Sequence, residues 1–185
     1  MTDTPPSDWI VRWGSLVPPG ATVIDVACGG GRHARWFASR GHPVTGVDRD
    51  PSIMELEQAG ISTVVADIEL GSWPFTDRAF GVVVVTNYLH RPLFPTLLAT
   101  VAPGGWLLYE TFAIGNERFG RPSNPDFLLR TGELLEVVHG KLKVVAYEDM
   151  ELGLPRPAMI QRIAAVRLPP ARGTFPDGEI PNLIG

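Results

Sequence analysis

The sequence predicts an α/β fold, a mostly parallel sheet with helices packed on both faces as a three-layer sandwich. Three observations carry that reading. Short runs of β-branched residues alternate with helix-like segments along the first two thirds of the chain. A cluster of three glycines, Gly29 to Gly31, sits between the first run and the first long helical segment after it. An aspartate lies in or directly after each of the first three runs, as Asp25, Asp48 and Asp67. Strand–helix alternation implies right-handed crossovers and a parallel sheet covered on two sides.

Ser7–Leu16 reads as an amphipathic helix with Trp9, Ile10, Trp13 and Leu16 on one side, stopped by Pro18-Pro19-Gly20. Thr22–Ala27 is a short apolar strand interrupted by Asp25. The stretch from His33 to Arg40 is helical up to Gly41. Pro43–Val47 is the second strand, ended by Asp48, and Pro51–Ala59 a helix with proline in its first turn. Ile61–Ala66 is the third strand, ended by Asp67. Phe80–Thr86, with four consecutive valines, has the pattern of a strand buried on both faces. Pro92–Val101 is a helix, and Gly105–Thr111 a strand behind the Pro103-Gly104-Gly105 turn. Ala113–Asp126 is a long loop of Gly, Asn, Pro and Arg. Thr131–His139 is a helix capped by Thr131, and Leu142–Glu148 and Met159–Leu168 are strands close enough to pair antiparallel. One domain over residues 1–185 is expected, with an N-terminal helix in 1–20 and a polar tail in 169–185.

Composition narrows the function classes. Hydrophobic residues at 44% and charged residues at 19% exclude global disorder. A single cysteine, Cys28, excludes a disulfide framework and suits a reducing compartment. Sixteen basic against twenty acidic residues leave a formal charge of −4, which argues against a broad nucleic-acid surface. The longest apolar runs fall well short of the ~20 residues that span a bilayer. The N-terminus, M-T-D-T-P-P-S-D, has acids and prolines where a secretion signal has basic and apolar residues. A cytoplasmic protein acting on a small molecule, without a membrane partner, is the expectation; the oligomeric state is left open.

The main chemical signal runs from Val23 to Ala34. Gly29, Gly31 and Ala34 match G-x-G-x-x-G/A between a strand and a helix, a loop that lets a ligand approach the backbone closely. The acids discriminate between ligands. Asp48 follows Gly31 by seventeen positions, a spacing suited to two ribose hydroxyls, for NAD as well as for other nucleosides. Asp25 lies four positions before Gly29, where it would repel a pyrophosphate and attract an ammonium or sulfonium group. Asp67 is placed to accept from an adenine amino group. At this point a dinucleotide, as in a nicotinamide-dependent oxidoreductase or dinucleotide-binding regulator, is opposed by Asp25 and Asp67, and a nucleoside carrying a cationic group is favoured.

D-V-A-C-G-G-G-R, beginning at Asp25, resembles the first motif of class I S-adenosylmethionine-dependent methyltransferases. V-T-G-V-D at Val44 resembles their second, V-A-D-I at Val65 their third, and A-P-G-G-W-L-L at Ala102 the signature after their fourth strand. The likeness extends from Ala21 to Leu168, with Ala27 standing where many members have glycine. It implies a single Rossmann-like domain whose seven-stranded sheet has its last strand antiparallel, inserted between strands five and six. It also implies Gly29 and Gly31 at the methionine end of the cofactor, Asp25 near its amino group, Asp48 on the ribose, and Asp67 with the Ala66 and Ile68 backbones at the adenine. Within the family, the first motif and the size are similar to the small bacterial tellurite-resistance-type methyltransferases. Three readings stand: the S-adenosylmethionine-dependent methyltransferase that the resemblance implies; a nicotinamide-dependent oxidoreductase or dinucleotide-binding regulator; and a noncatalytic S-adenosylmethionine-binding protein.

The reacting methyl group then belongs beyond the fourth strand, at T-N-Y-L-H-R, Thr86 to Arg91. Asn87 and Tyr88 lack the intervening prolines of nucleic-acid amino methylases. Asn87 is placed at the cofactor, and His90, Tyr88 and Arg91 are the catalytic candidates, His90 as a general base. Glu110 ends the fifth strand at the same rim and is a candidate for substrate binding. Arg118 and Arg121 are expected in a mobile lid, Ala113–Asp126, closing on an anionic substrate. His33 and His42 show no ligand spacing with Cys28, and no metal is expected.

Overall fold

The structure, a computed structural model, describes residues 4–170. Seven strands form one sheet: β1 (Val23–Val26), β2 (Val44–Asp48), β3 (Ser62–Val65), β4 (Phe80–Thr86), β5 (Val101–Phe112), β6 (Lys143–Leu152) and β7 (Ala158–Val166). Their order is β3-β2-β1-β4-β5-β7-β6. The first five run parallel. β7 is antiparallel to both neighbours and lies between β5 and β6, the placement the family resemblance implies. The expected tail lies beyond residue 170, outside the described residues, apart from its first two positions.

The valines of β4 explain why this strand is central. Val82 to Val85 have no exposed surface, and each such burial contributes about 1.5–3 kcal/mol. On one face α1 (Asp8–Gly14), α2 (Arg32–Ala38) and a 3-10 helix at Pro51–Ala59 bring Trp9, Ile10, Phe37, Ile53 and Leu56 against Val82 and Val84. On the other, α3 (Phe94–Thr100) and α4 (Glu133–Val138) bring Phe94, Leu97, Leu134 and Val138 against Val83 and Val85. Alternate residues of one strand thus serve two cores. No helix among the described residues is long and apolar enough to cross a membrane.

Several boundaries differ from the sequence expectation. α1 starts as expected, with the Ser7 side chain accepting from the Trp9 amide, but it ends at Gly14 and leaves Leu16 exposed. Pro51–Ala59 has the tighter 3-10 winding. α4 begins at Glu133 behind Gly132, whose φ of 74° makes the turn that Thr131 was expected to cap. β5 reaches back to Val101, because Val101 pairs with Phe80 across an irregularity that absorbs Pro103 and Gly104.

Candidate active site

The parallel strands end at one rim, where open α/β sheets bind ligands, and two clefts open there. The first, about 260 Å³, is lined by Ala27, Asp48, Arg49, Ala66, Asp67, Ile68, Glu69 and Tyr88. The second, about 710 Å³, is bordered by Cys28 to Arg32, His33, Arg35, Thr86, Asn87 and Thr4. Ala27 borders both, so a ligand with two unlike halves can occupy them together.

The glycine loop is shaped by specific contacts. Gly31 has φ +71°, and a Cβ on it would lie 2.5 Å from Leu56, so only glycine fits at the start of α2. Gly29 has φ +49° with open space beside it, leaving its backbone accessible to a ligand. Asp48 ties the loop down: its Oδ2 accepts from the Gly29 amide at 2.9 Å and its Oδ1 from the Asp50 amide at 3.0 Å. Ala27, at φ +52°, takes the left-handed conformation that costs a β-carbon about 1–2 kcal/mol. That is why glycine is the usual residue at this position.

Asp25 is placed differently from Asp48. It is buried on β1, where its Oδ2 accepts from the Ala34 amide at 3.0 Å and its Oδ1 has no hydrogen-bond partner. Burial pushes its carboxyl up to about 7, against the lowering effects of the Ala34 amide and Arg32, while Asp48 adds repulsion. It lines neither of the two clefts and sits behind the glycine loop. Asp67 accepts from the Glu69 and Leu70 amides, at 2.9 and 3.0 Å, which together with Arg49 and His90 hold its carboxyl below the ordinary range. Ile68 is buried on the floor of the first cleft.

At the end of β4, Asn87 has φ +53°, donates its amide to the Glu110 carbonyl, and lines the second cleft. Tyr88 lines the first cleft with a buried hydroxyl that has no hydrogen-bond partner. Burial and the nearby Glu69 and Asp67 push that phenol upward, which fits a neutral donor better than a base. The Tyr109 hydroxyl donates to the Tyr88 carbonyl at 2.8 Å and fixes this corner from below. His90 precedes the short 3-10 turn Arg91–Leu93 without capping it through its side chain, and it lies near enough to Asp67 to favour that carboxylate.

Arg91, expected to be catalytic, and Glu110 and Arg118, expected at the substrate, each have ion-pair partners in the fold. Arg91 forms a fork with buried Glu133, Nε to Oε1 at 2.7 Å and Nη2 to Oε2 at 2.9 Å, and also donates to the Asp126 and Leu128 carbonyls. It is a structural clamp on the segment before α4. Glu110 pairs with Arg162 at 3.3 Å, and Arg162 also binds Glu148, beneath the Trp9 ring. Arg118 turns toward Glu151 on β6 at 3.4 Å and stays 60% exposed. Arg121 is exposed and lines neither cleft.

The expected lid is also a fixed connection at its base. Asn116 is buried, its Nδ2 donating to the Pro122 carbonyl and its Oδ1 accepting from the Met159 amide. Ala113 and Ile114 are tied to Met159 and Leu129 by backbone bonds. Residues not expected at the site border the second cleft: Arg32 at the start of α2, Arg35 in its last turn, His33 and Thr86. The two arginines follow the glycine loop directly, a position that marks them as neighbours of whatever the loop holds. No such local signal exists for the His33–Thr86 pair, which is 53 positions apart. Burial pushes the Cys28 thiol up and favours its neutral form, and its Sγ packs beneath Gly46. Among the described residues no cluster of three or more His, Cys, Asp or Glu could hold a metal ion.

An adenosylmethionine fits these clefts on three grounds. Tyr88 offers an orphaned hydroxyl, Gly29 leaves open space above its backbone, and the carboxyl groups of Asp48 and Asp25 bond to the Gly29 and Ala34 amides at either end of the loop.

Residues 23–105 match the family model described as "Methyltransferase domain". A malonyl-[acyl-carrier protein] O-methyltransferase from Serratia marcescens is 31% identical over 53% of this chain and 41% of its own length. A 2-methyl-6-phytyl-1,4-hydroquinone methyltransferase from Synechocystis is 34% identical over 54% of this chain and 35% of its own. The chain thus spans less than half the length of these relatives. Among solved structures, TehB from Haemophilus influenzae superposes with a TM-score of 0.70 at 19% identity, covering 85% of this chain and 61% of that one. A 1,6-didemethyltoxoflavin-N1-methyltransferase from Burkholderia thailandensis, bound to 1,6-didemethyltoxoflavin and S-adenosylhomocysteine, gives 0.62 at 18% identity, covering 86% of this chain and 76% of that one. Residues 23–105 are thus similar to a methyltransferase domain, and the seven-stranded sheet has the fold of these solved structures.

Proposed function

We propose that this protein transfers the methyl group of S-adenosylmethionine to a small, anionic acceptor in the cytoplasm by direct in-line displacement. The observation that carries the reading is the pair of clefts meeting at Ala27, one walled by Asp48, Asp67 and Tyr88, the other by the glycine loop. When bound, the cofactor supplies a methyl group on a sulfonium, an activated leaving group that needs alignment more than covalent help.

In this reading Asp48 holds the ribose hydroxyls with the lone pairs left free by Gly29 and Asp50. The Ala66 and Ile68 backbones and Asp67 frame the adenine, and Tyr88 closes the first cleft over the sugar. Gly29 and Gly31 lie along the methionine half with Asn87 opposite, while Asp25 supplies negative charge from behind the loop. The anionic character of the acceptor is supported by Arg32 and Arg35 on the second cleft, in place of the loop arginines. His90 is the group placed to take a proton where the acceptor carries one.

The test has two parts. Calorimetry should detect S-adenosylhomocysteine binding and none of NAD or NADP. Incubation of a metabolite extract with methyl-labelled donor should then label a discrete small molecule. Micromolar NAD binding without adenosylhomocysteine binding would falsify the reading.

A further inference from the structure

His33 is buried in the wall of the second cleft and joins two distant segments. The Ser7 amide donates to its Nε2 at 3.1 Å. A backbone N–H can only donate, so Nε2 carries no proton and the ring hydrogen resides on Nδ1. Nδ1 lies 3.2 Å from Thr86 Oγ1, which therefore accepts. Burial, with Arg32 adding repulsion, pushes His33 down to about 3, so this neutral arrangement persists near neutral pH.

The consequence falls on Thr86. With His33 occupying an acceptor site of its oxygen, the Thr86 hydroxyl hydrogen turns elsewhere, and among the described residues it finds no second partner. Thr86 lines the second cleft. The register that sets Val26 opposite Val85 places it beside Ala27, where the two clefts meet. It stands two strands away from Asp48, roughly 9–10 Å across the sheet, beyond reach of the ribose.

We infer that Thr86, oriented by His33, is a specificity-determining hydrogen-bond donor to an oxygen of the methyl acceptor, which is therefore a small carboxylate or other oxyanion. The inference rests on the methyltransferase reading of the clefts. Arg32 and Arg35 on the same cleft give the matching charge. His33 is a positioning residue, acting only through Thr86.

The full chain saturated with S-adenosylhomocysteine is titrated with benzoate, and with benzylamine as the cationic control, by ligand-observed magnetic resonance. Benzoate should bind and benzylamine should not. Thr86→Val should weaken benzoate about tenfold, as expected for losing a hydrogen bond to a charged group, and Thr86→Ser should restore it to within about twofold. In Thr86→Val the loss for benzoate should exceed any loss for adenosylhomocysteine. Should Thr86→Val fold poorly, the carbon-13 shift of the Thr86 methyl in the wild-type protein should move on adding benzoate to the adenosylhomocysteine complex. Absent benzoate binding, equal benzylamine binding, an unmoved methyl shift, or equal losses of benzoate and adenosylhomocysteine in Thr86→Val overturns the inference. Failure of the wild type to bind adenosylhomocysteine overturns the methyltransferase reading itself, a result distinguishable from loss of benzoate alone.

Discussion

Asp48 and Gly29 are bonded across the floor of the site, carboxylate Oδ2 to amide nitrogen at 2.9 Å. The end of β2 thereby sets the path of the loop that follows β1, and the residue assigned to the ribose also positions the backbone beside the methionine half. The two halves of the site are mechanically one.

Asp48→Ala should therefore weaken S-adenosylhomocysteine binding by roughly 2–4 kcal/mol, through lost ribose bonds and a loosened loop. Asp48→Asn keeps an oxygen for the Gly29 amide and should lose only about 1–2 kcal/mol. Calorimetry on both variants separates the contributions. If Asp48→Asn binds no better than Asp48→Ala, the tether to Gly29 contributes nothing to affinity.

Asp25 makes stability depend on pH in a direction opposite to most carboxylates. Its folded pKa, pushed up to about 7 by burial, lies above the ordinary value of 3.8, so the native state favours the protonated form. Its contribution is fully favourable below about pH 4 and is lost as the pH rises through 7. Asp25→Asn keeps an oxygen for the Ala34 amide and removes the buried charge. Urea unfolding at pH 5 and pH 8 should show the variant gaining on the wild type as the pH rises, by on the order of 2–4 kcal/mol at most. At pH 8, where the wild-type carboxyl is ionised, the same variant should bind S-adenosylhomocysteine more weakly, and at pH 5 the two should bind alike. A stability difference that does not change with pH would place the ionised carboxylate in a better-solvated setting than its burial indicates.

The Arg91–Glu133 pair fixes the segment after β5 rather than the acceptor. Burial alone would raise the Glu133 carboxyl, but Arg91, the Arg130 amide and the Arg130 guanidinium hold it below the ordinary range. Its contribution is thus present above the unfolded pKa and lost as the pH falls. Arg91→Ala leaves a buried carboxylate without its fork and should destabilise the fold by about 2–4 kcal/mol, a value below the fully buried case because Arg91 is 34% exposed. Arg91→Lys should recover little, since one ammonium cannot reach both oxygens and two carbonyls together. Thermal unfolding measures both, and adenosylhomocysteine affinity in the folded fraction should stay near that of the wild type.

The fold was legible because it is written locally. The four valines of β4, the glycine cluster and the acids at the strand ends each occupy a few consecutive residues, and the family motifs extend the reading to β7. The roles of charged side chains were not, because they depend on register and long-range pairing. Nothing near Glu110 in the sequence announces Arg162, its cross-strand neighbour on β7, or Glu148 one strand further. Arg91 meets Glu133 across 42 positions, and His33 meets Ser7 and Thr86 across 26 and 53. Loop arginines look alike in a sequence whether they face solvent, a carboxylate or a ligand. Turn chemistry explains the smaller misses, since Gly132 at positive φ displaced Thr131 from the start of α4.

The segment from Ala113 to Asp126 provides the last prediction, because its composition suggests a lid and its contacts hold it in place. Asn116 reaches from its buried position to the Pro122 carbonyl at 2.9 Å and the Met159 amide at 3.1 Å. It thus binds the loop to itself and to β7 at once. Arg118 is drawn toward Glu151, away from the clefts, through a pair too exposed to contribute more than about 1 kcal/mol. Limited proteolysis of the wild type should therefore give cleavage in this segment that is the same with and without saturating S-adenosylhomocysteine. Asn116→Ala strands a buried backbone N–H and carbonyl, and should cost about 1–3 kcal/mol while opening the segment to protease. Arg118→Ala should change neither cleavage nor ligand affinity. Protection of the wild-type segment by the ligand, together with an effect of Arg118→Ala on affinity, would restore the lid and return the arginines to the site; ligand-independent cleavage assigns the anion to the arginines of α2.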